Sequence, residues 1–292
     1  MSTVPPETGR AAMNPPAEIP RVLVGTLYCG EREFADACRS IRSQTDVACE
    51  HFVIRDLPKF EAHQALYGRF MSSAGDCDFF MKVDADMVLS RPTFTREACD
   101  WFAGHPTIDN LQVAVDDFFT GGLLAGLHLW RSHVRWSDRD DRTFTDAWAV
   151  DADRRHTDFE RLAPAATHCE SADSFQAFHF GVHRGVKWRE CLDRRGRVRR
   201  SKTRGYRNVI RSAQRRWIET GDRRLGFVVL GAYLALDRIY RIEDLNYGDP
   251  TLANHFRELA DLPGGEIRRR IERMKRRHAW STPLRWLRRP AA

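Results

Sequence analysis

Two aspartates one residue apart, Asp84 and Asp86, follow the apolar run Phe79-Phe80-Met81-Lys82-Val83. The run reads as a buried strand that delivers both carboxylates where it ends. In an extended backbone residues i and i+2 point to the same face, so the pair can converge on one ion. A hard divalent cation takes oxygen ligands, keeps open positions and shares them with phosphates. Asp84-Ala85-Asp86 is therefore a candidate site for a metal that carries a diphosphate. The competing reading is a turn, in which Asp is common.

The elements that must position this pair are legible on either side. Val22 to Thr26 is a β-branched run suited to a buried parallel strand. Glu31 to Ser43 sets Phe34, Ala37, Cys38 and Ile41 at helical spacing. His51 to Ile54 is a second strand leading to Asp56, Lys59 to Ala74 a second helix, and Phe79 to Val83 the third strand. This alternation predicts an α/β fold with an open, mostly parallel sheet, whose ligands sit at the carboxyl ends of the strands. Tyr28, Asp56, Asp84 and Asp86 then fall at one edge. Thr95 to Gly104 predicts another helix. Leu111 to Val115 predicts a strand ending at Asp116-Asp117, and Leu127 to Trp130 a further one. Asp138 to Arg161 is polar and reads as loop with at most one helix. Gln176 to Lys187 mixes aromatics, His and Gly in a way unusual for a plain helix. Gly205 to Glu219 and Asp222 to Leu236 are helical by pattern.

Composition narrows the class. The 292 residues fit one large domain with appendages. No apolar stretch reaches the roughly 18 residues that span a bilayer, and the proline-rich segment 1–20 reads as a disordered leader rather than a signal peptide. The seven cysteines are odd in number with no CxxC pair, which predicts reduced thiols in a cytoplasm. The net charge of +7 is unevenly spread. Arg184 to Arg224 holds sixteen Lys/Arg against four Asp/Glu, and Gly265 to Ala292 ten against two, so the remainder is strongly acidic.

Val22-Leu23-Val24-Gly25-Thr26-Leu27-Tyr28, the helix after it and the closing Ser40-Ile41-Arg42-Ser43-Gln44-Thr45 resemble the start of glycosyltransferase family 2, the GT-A fold enzymes that use nucleotide sugars. In that family the second strand ends in an Asp that contacts the nucleobase, which corresponds to Asp56. A DxD motif stands where this chain has Asp84-Ala85-Asp86. The resemblance covers the first third of the chain and implies a UDP- or GDP-sugar donor held by Thr26, Tyr28, Asp56 and Asp84, with Mn²⁺ or Mg²⁺. It implies a glycan or lipid-linked acceptor on the cytoplasmic side. Further on, His179-Phe180-Gly181 followed by Lys187-Trp188 is similar to the HFxGxxKPW element of retaining GT-A enzymes, where the His binds metal and the Lys touches the diphosphate.

Roles follow from these resemblances. His179, then His183, is the candidate third metal ligand, against a packed core His. Arg184 and Lys187 are candidate diphosphate contacts, against a solvated basic surface. An inverting transferase needs a carboxylate to take the acceptor proton. Glu170 and Asp173 are the candidates, with Asp116 and Asp117 as the rival pair. The expected layout is a catalytic core over 21–190, with a donor half at 21–90 and an acceptor half at 91–190. A basic helical region over 191–264 and a basic amphipathic tail over 265–292 follow it. The tail, with Ile267, Ile271 and Met274 on one face of an arginine-rich helix and then Trp280, Leu284, Trp286 and Leu287, is suited to peripheral contact with an anionic membrane, against a frayed, solvated terminus. A nucleotidyltransferase would carry a glycine-rich phosphate loop after the first strand, and this chain does not. A nucleic-acid-binding protein would leave the aspartate pair without a role.

Overall fold

The computed structural model describes residues 18–137, 149–151, 154–193, 200–240 and 250–281. Most of the expected leader, the basic stretch 194–199 and the tail beyond Ser281 lie outside them.

Five alternating elements open the chain: β1 (Arg21–Tyr28), α1 (Phe34–Arg42), β2 (Ala48–Arg55), α2 (Lys59–Ser72) and β3 (Phe79–Lys82). β1 pairs in parallel with β2 on one side and β3 on the other. The strands sort their side chains by parity, as a pleat must. Val22, Val24, Phe79, Met81 and Val83 face one core together with Ile41 of α1. Leu23 and Phe80 face the opposite core, against Leu66 and Phe70 of α2. With a helix packed on each face, these strands are apolar throughout, which is why they were visible as runs.

The second half completes the sheet. β4 (Met87–Leu89), α3 (Phe94–Gly104), β5 (Asn110–Asp117) and β6 (Gly122–Arg131) follow, and the short β7 (Arg135–Ser137) and β8 (Ala149–Asp151) pair with each other. β9 (Arg155–Asp158) joins β5, and β10 (Ala166–His168) lies between β5 and β4. The main sheet runs β2-β1-β3-β6-β5-β10-β4, mixed in direction because β6 and β4 are antiparallel to their neighbours. Where the polar sequence 138–161 suggested loop, β8 and β9 form, since both lean on partners distant in sequence rather than on their own apolar content.

Five helices follow: α4 (Ser174–Asp193), α5 (Arg200–Thr220), α6 (Arg223–Leu236), α7 (Pro250–Ala260) and α8 (Gly264–Ser281). The aromatic, histidine and glycine mixture from Gln176 to Lys187 is thus one continuous helix. Its glycines let it approach α6: a Cβ on Gly181 or Gly185, or on Gly231 of α6, would fall closer than 3.0 Å to backbone of the opposing helix. These helices have their own core, and Phe119 and Cys169 from the ends of β5 and β10 project into it. The fold is the expected α/β one, a mixed sheet flanked by helices with a helical carboxyl-terminal layer. Ile267, Ile271 and Met274 of α8 are buried at 0, 1 and 5% exposure within that layer's core. The apolar stripe that the sequence offered to a membrane is therefore covered by the protein itself. Among the described residues no helix is long and apolar enough to cross a bilayer.

Candidate metal centre

Strand pairing brings the site together. β10 runs parallel to β5 with His168 opposite Asp117, and antiparallel to β4 with His168 opposite Met87. One residue further, the Cys169 N–H donates to the Asp86 carbonyl at 3.0 Å. Asp86, Asp117, His168 and Cys169 are thus set side by side by main-chain bonds, although up to 83 positions separate them. β3 stops at Lys82, and Asp84 and Asp86 occupy a turn closed by the Met87 N–H on the Asp84 carbonyl at 2.9 Å. The two carboxylates are consequently not on one extended face. Asp84 pairs with Lys82, whereas Asp86 points inward.

His168 Nδ1–H donates to Asp117 Oδ1 at 2.6 Å, and its Nε2 faces Asp86 Oδ2 at 3.3 Å. The Cys169 thiol donates to the same Asp86 oxygen at 3.3 Å and lies 3.4 Å from His168 Nε2. The other Asp86 oxygen, Oδ1, is buried with no hydrogen-bond partner. An oxygen, a nitrogen and a sulfur thus lie within 4.8 Å of one another. Asp117 sits behind the imidazole and fixes its orientation, as a carboxylate does behind a metal-bound histidine.

The electrostatics describe a centre short of positive charge. Burial opposes ionisation of Asp86 and Asp117, yet the His168 charge and hydrogen bonds hold both below the usual carboxylate range. Burial also opposes a charged His168, but Cys169 and the two carboxylates overcome it and hold the imidazole well above its ordinary value. Burial and the Asp86 charge push the Cys169 thiol up. Beside the cluster, Glu33 is raised by burial despite accepting from Gln176 Nε2 at 2.8 Å, with the Asp86 charge adding to the rise. Its second oxygen is buried without a partner. Glu31 is pushed up to about 7 by burial and by Asp86, even though the Cys29 N–H donates to it at 2.8 Å. Four carboxylates, an imidazole and a thiol crowded at one sheet edge suit a divalent cation, which would relieve their repulsion and give Asp86 Oδ1 a partner.

Glu31 supplies a pH prediction. In the unfolded chain its proton leaves near 4.5, and in the folded protein near 7. Stability contributed by the buried neutral acid is full below the lower value and lost as pH rises to the upper one. The ceiling is about 3 kcal/mol, and partial exposure brings it to roughly 1–2 kcal/mol. In EDTA, Glu31→Gln is expected to raise stability by that amount at pH 8 and by much less at pH 5. Urea midpoints at both pH values check this, and an equal gap at the two would refute it.

The remaining candidates are distributed as follows. Tyr28 closes β1, its ring 4.1 Å from Phe34, with the Arg55 guanidinium 5.0 Å over Tyr28 and 4.8 Å over Phe34. Asp56 follows β2 in the left-handed region at φ 55°, and its N–H donates to the Tyr28 carbonyl at 3.0 Å, so the two are neighbours. Thr26 is buried with Oγ1 3.0 Å from His51 Nε2. Asp173 is the N-cap of α4, accepting from the Gln176 N–H at 2.8 Å, and pairs with Arg32 at 3.4 Å. Glu170 is exposed, with its carbonyl accepting from Arg224 at 3.3 Å, and Asp116 is exposed while Asp117 is fully buried. His179 and His183 lie against one another in α4 with ring centroids 4.1 Å apart and planes tilted by 45°. Arg184 lies 4.6 Å over Phe180 with its Nε buried and unpaired, and Lys187 is buried.

The sequence reading passed over His168, Cys169, Glu31 and Glu33. The adjacent imidazole and thiol of His168-Cys169 were a usable signal, since both residue types are metal donors.

No protein-family model matches this chain, and no curated protein matches it in sequence. Among solved structures it is similar to the mannosyltransferase PcManGT of Pyrobaculum calidifontis, solved with GDP-Man and Mn²⁺. That alignment has 10% identity and a TM-score of 0.39 over 92% of this chain and 89% of that one. It is also similar to A197 from STIV, at 13% identity and a TM-score of 0.28, over 38% of this chain and 64% of that one. The matched part therefore spans less than two thirds of A197. Both likenesses are distant, and neither fixes a chemistry for this chain.

Proposed function

We propose that this chain is a metal-dependent glycosyltransferase that moves a sugar from a UDP- or GDP-sugar to a glycan or lipid-linked acceptor, with inversion preferred. The observation that carries the reading is the convergence of Asp86 with His168 and Cys169 at the carboxyl ends of parallel strands. Ligands bind there in open α/β sheets. Asp86 and His168 are the residues that would hold the ion, Mn²⁺ or Mg²⁺ in the family resembled. Asp84 would join them on releasing Lys82. A bound divalent ion stabilises the negative charge that develops on a departing nucleoside diphosphate. Tyr28 and Phe34 offer the nucleobase an aromatic surface, and Asp56, next to Tyr28, offers the ribose an acceptor. Arg184, with an unpaired Nε, is a candidate contact for the diphosphate.

The acceptor hydroxyl needs a base. Glu170 and Asp173 lie on the loop that leaves the cluster, and Glu31 joins them because a carboxyl held near neutrality is matched to proton transfer at that pH. Asp117 is committed to His168 and acts through it.

Thermal shift with UDP, GDP, CDP and dTDP, each with and without Mn²⁺, tests the reading. One nucleotide is expected to stabilise the protein only when the ion is present, by about 2.7 kcal/mol at a hundredfold excess over its dissociation constant. If none of the four does so, with or without ion, the proposal fails.

A further inference from the structure

We infer that Cys169 is itself a ligand, so that the centre is an oxygen–nitrogen–sulfur site selective for a zinc-class ion over Mg²⁺. The inference rests on the proposed ion at Asp86 and His168 and goes beyond it in naming the third donor and the class of metal.

Cys169 belongs to the helical core, yet its sulfur also faces polar groups. Inert buried cysteines sit among apolar side chains, as Cys99 does within the core between α3 and the sheet. The Cys169 sulfur instead lies 3.3 Å from a carboxylate oxygen, 3.4 Å from an imidazole nitrogen and 4.0 Å from Gln176 Nε2. Its backbone is held at φ 58°, a left-handed conformation that disfavours a residue bearing a side chain. The Cys169 N–H bond to the Asp86 carbonyl and the Phe118 N–H bond to the His168 carbonyl, 3.0 and 3.1 Å, maintain that conformation. The strand end is thus bent so that His168 and Cys169, consecutive in sequence, both present donors to Asp86.

The donor set decides the metal. Mg²⁺ demands oxygen ligands in octahedral array and is poorly served by nitrogen and sulfur. Zn²⁺ takes carboxylate, imidazole and thiolate together, and three protein donors with an open fourth position is the arrangement of catalytic zinc. The second layer is also present: Asp117 holds the imidazole, and Gln176, anchored on Glu33, approaches the sulfur. On binding, the thiol proton and any proton on His168 Nε2 pass to solvent, so loading is coupled to proton release.

Co²⁺ is the probe, because a thiolate ligand gives it a strong near-ultraviolet charge-transfer band. Full-length protein stripped with EDTA and titrated with Co²⁺ is expected to develop that band at one equivalent. Zn²⁺ should displace it and a large excess of Mg²⁺ should not. Cys169→Ser should remove the band and weaken Zn²⁺ binding by at least about tenfold, whereas Cys29→Ser should retain both. If Co²⁺ binds and is lost on Asp86→Ala, but the wild type shows no sulfur band, the thiol is not a ligand. The inference then falls while the ion at Asp86 stands. If neither Co²⁺, Zn²⁺ nor Mn²⁺ binds the wild type, both fall. A missing band in the wild type refutes the thiolate ligand whether or not Cys169→Ser folds, and a band retained in folded Cys169→Ser assigns it to another of the seven cysteines and also refutes it.

Discussion

Asp86→Asn is expected to abolish metal-dependent nucleotide binding and to reduce sugar transfer by at least about a hundredfold. The substitution keeps the shape of the side chain and removes its charge. Asp86 is the one member of the cluster in contact with both His168 and Cys169, at 3.3 Å to each, and it also carries the buried, unpaired oxygen. Its loss therefore removes the anionic donor and leaves an imidazole and a thiol that cannot neutralise a divalent ion. The folded state should survive, because the main-chain bonds that position the turn do not use the carboxylate. Thermal shift with and without Mn²⁺, beside a transfer assay, checks the expectation. Asp84→Asn is the internal comparison. Asp84 is engaged by Lys82, so its effect should be smaller. An equal loss from both variants would show that the two carboxylates share the ion after Asp84 exchanges partners. An Asp86→Asn protein with full metal response would exclude Asp86 as a ligand.

Gly181→Ala is expected to cost at least about 3 kcal/mol of stability, or to prevent folding. A Cβ there would fall closer than 3.0 Å to the carbonyl, carbon and Cα of Val228. Those atoms are backbone in the middle of α6 and cannot rotate away. The helices would have to separate, which also disengages Gly185 from Ala232 and Gly231 from Phe178. Separation of α4 and α6 then opens the core that contains Phe178, Val182, Val228 and Leu230. The effect reaches the site, since Gln176 at the start of α4 holds Glu33 and Arg32. Urea unfolding gives the measurement. Gly205→Ala, in α5 with nothing within 4 Å of its would-be Cβ, should instead stabilise by roughly 0.5–1 kcal/mol. A Gly181→Ala protein as stable as wild type would show that the helices have room to shift.

The elements at the start of the chain were legible because each is coded locally. Burial on two helix-covered faces makes β1 and β3 largely apolar runs, and Ile41, Leu66 and Phe70 recur at helical spacing on the helices between them. The same periodicity gave α5, α6 and the stripe of α8. It could not say that α8 spends its stripe on the protein's own core, because a stripe records that a face needs covering and not what covers it. β8 and β9 are illegible for the converse reason: at three and four residues they are too short to carry a period of their own.

By itself the sequence determined an α/β chain with a Rossmann-like start, an aspartate pair after the third strand, and separated acidic and basic segments. The tertiary structure alone decided which groups act together. It turned Asp84 to Lys82 and Asp86 inward, bonded Asp117 to His168, and set His179 against His183. It also made Cys169, a residue of the helical core, a partner of Asp86. The reason is that side-chain type and helical or strand period are local properties, whereas the site is assembled by register. β10 must lie between β5 and β4 before residues from four strand ends can meet within hydrogen-bonding distance, and no spacing along the chain encodes that pairing.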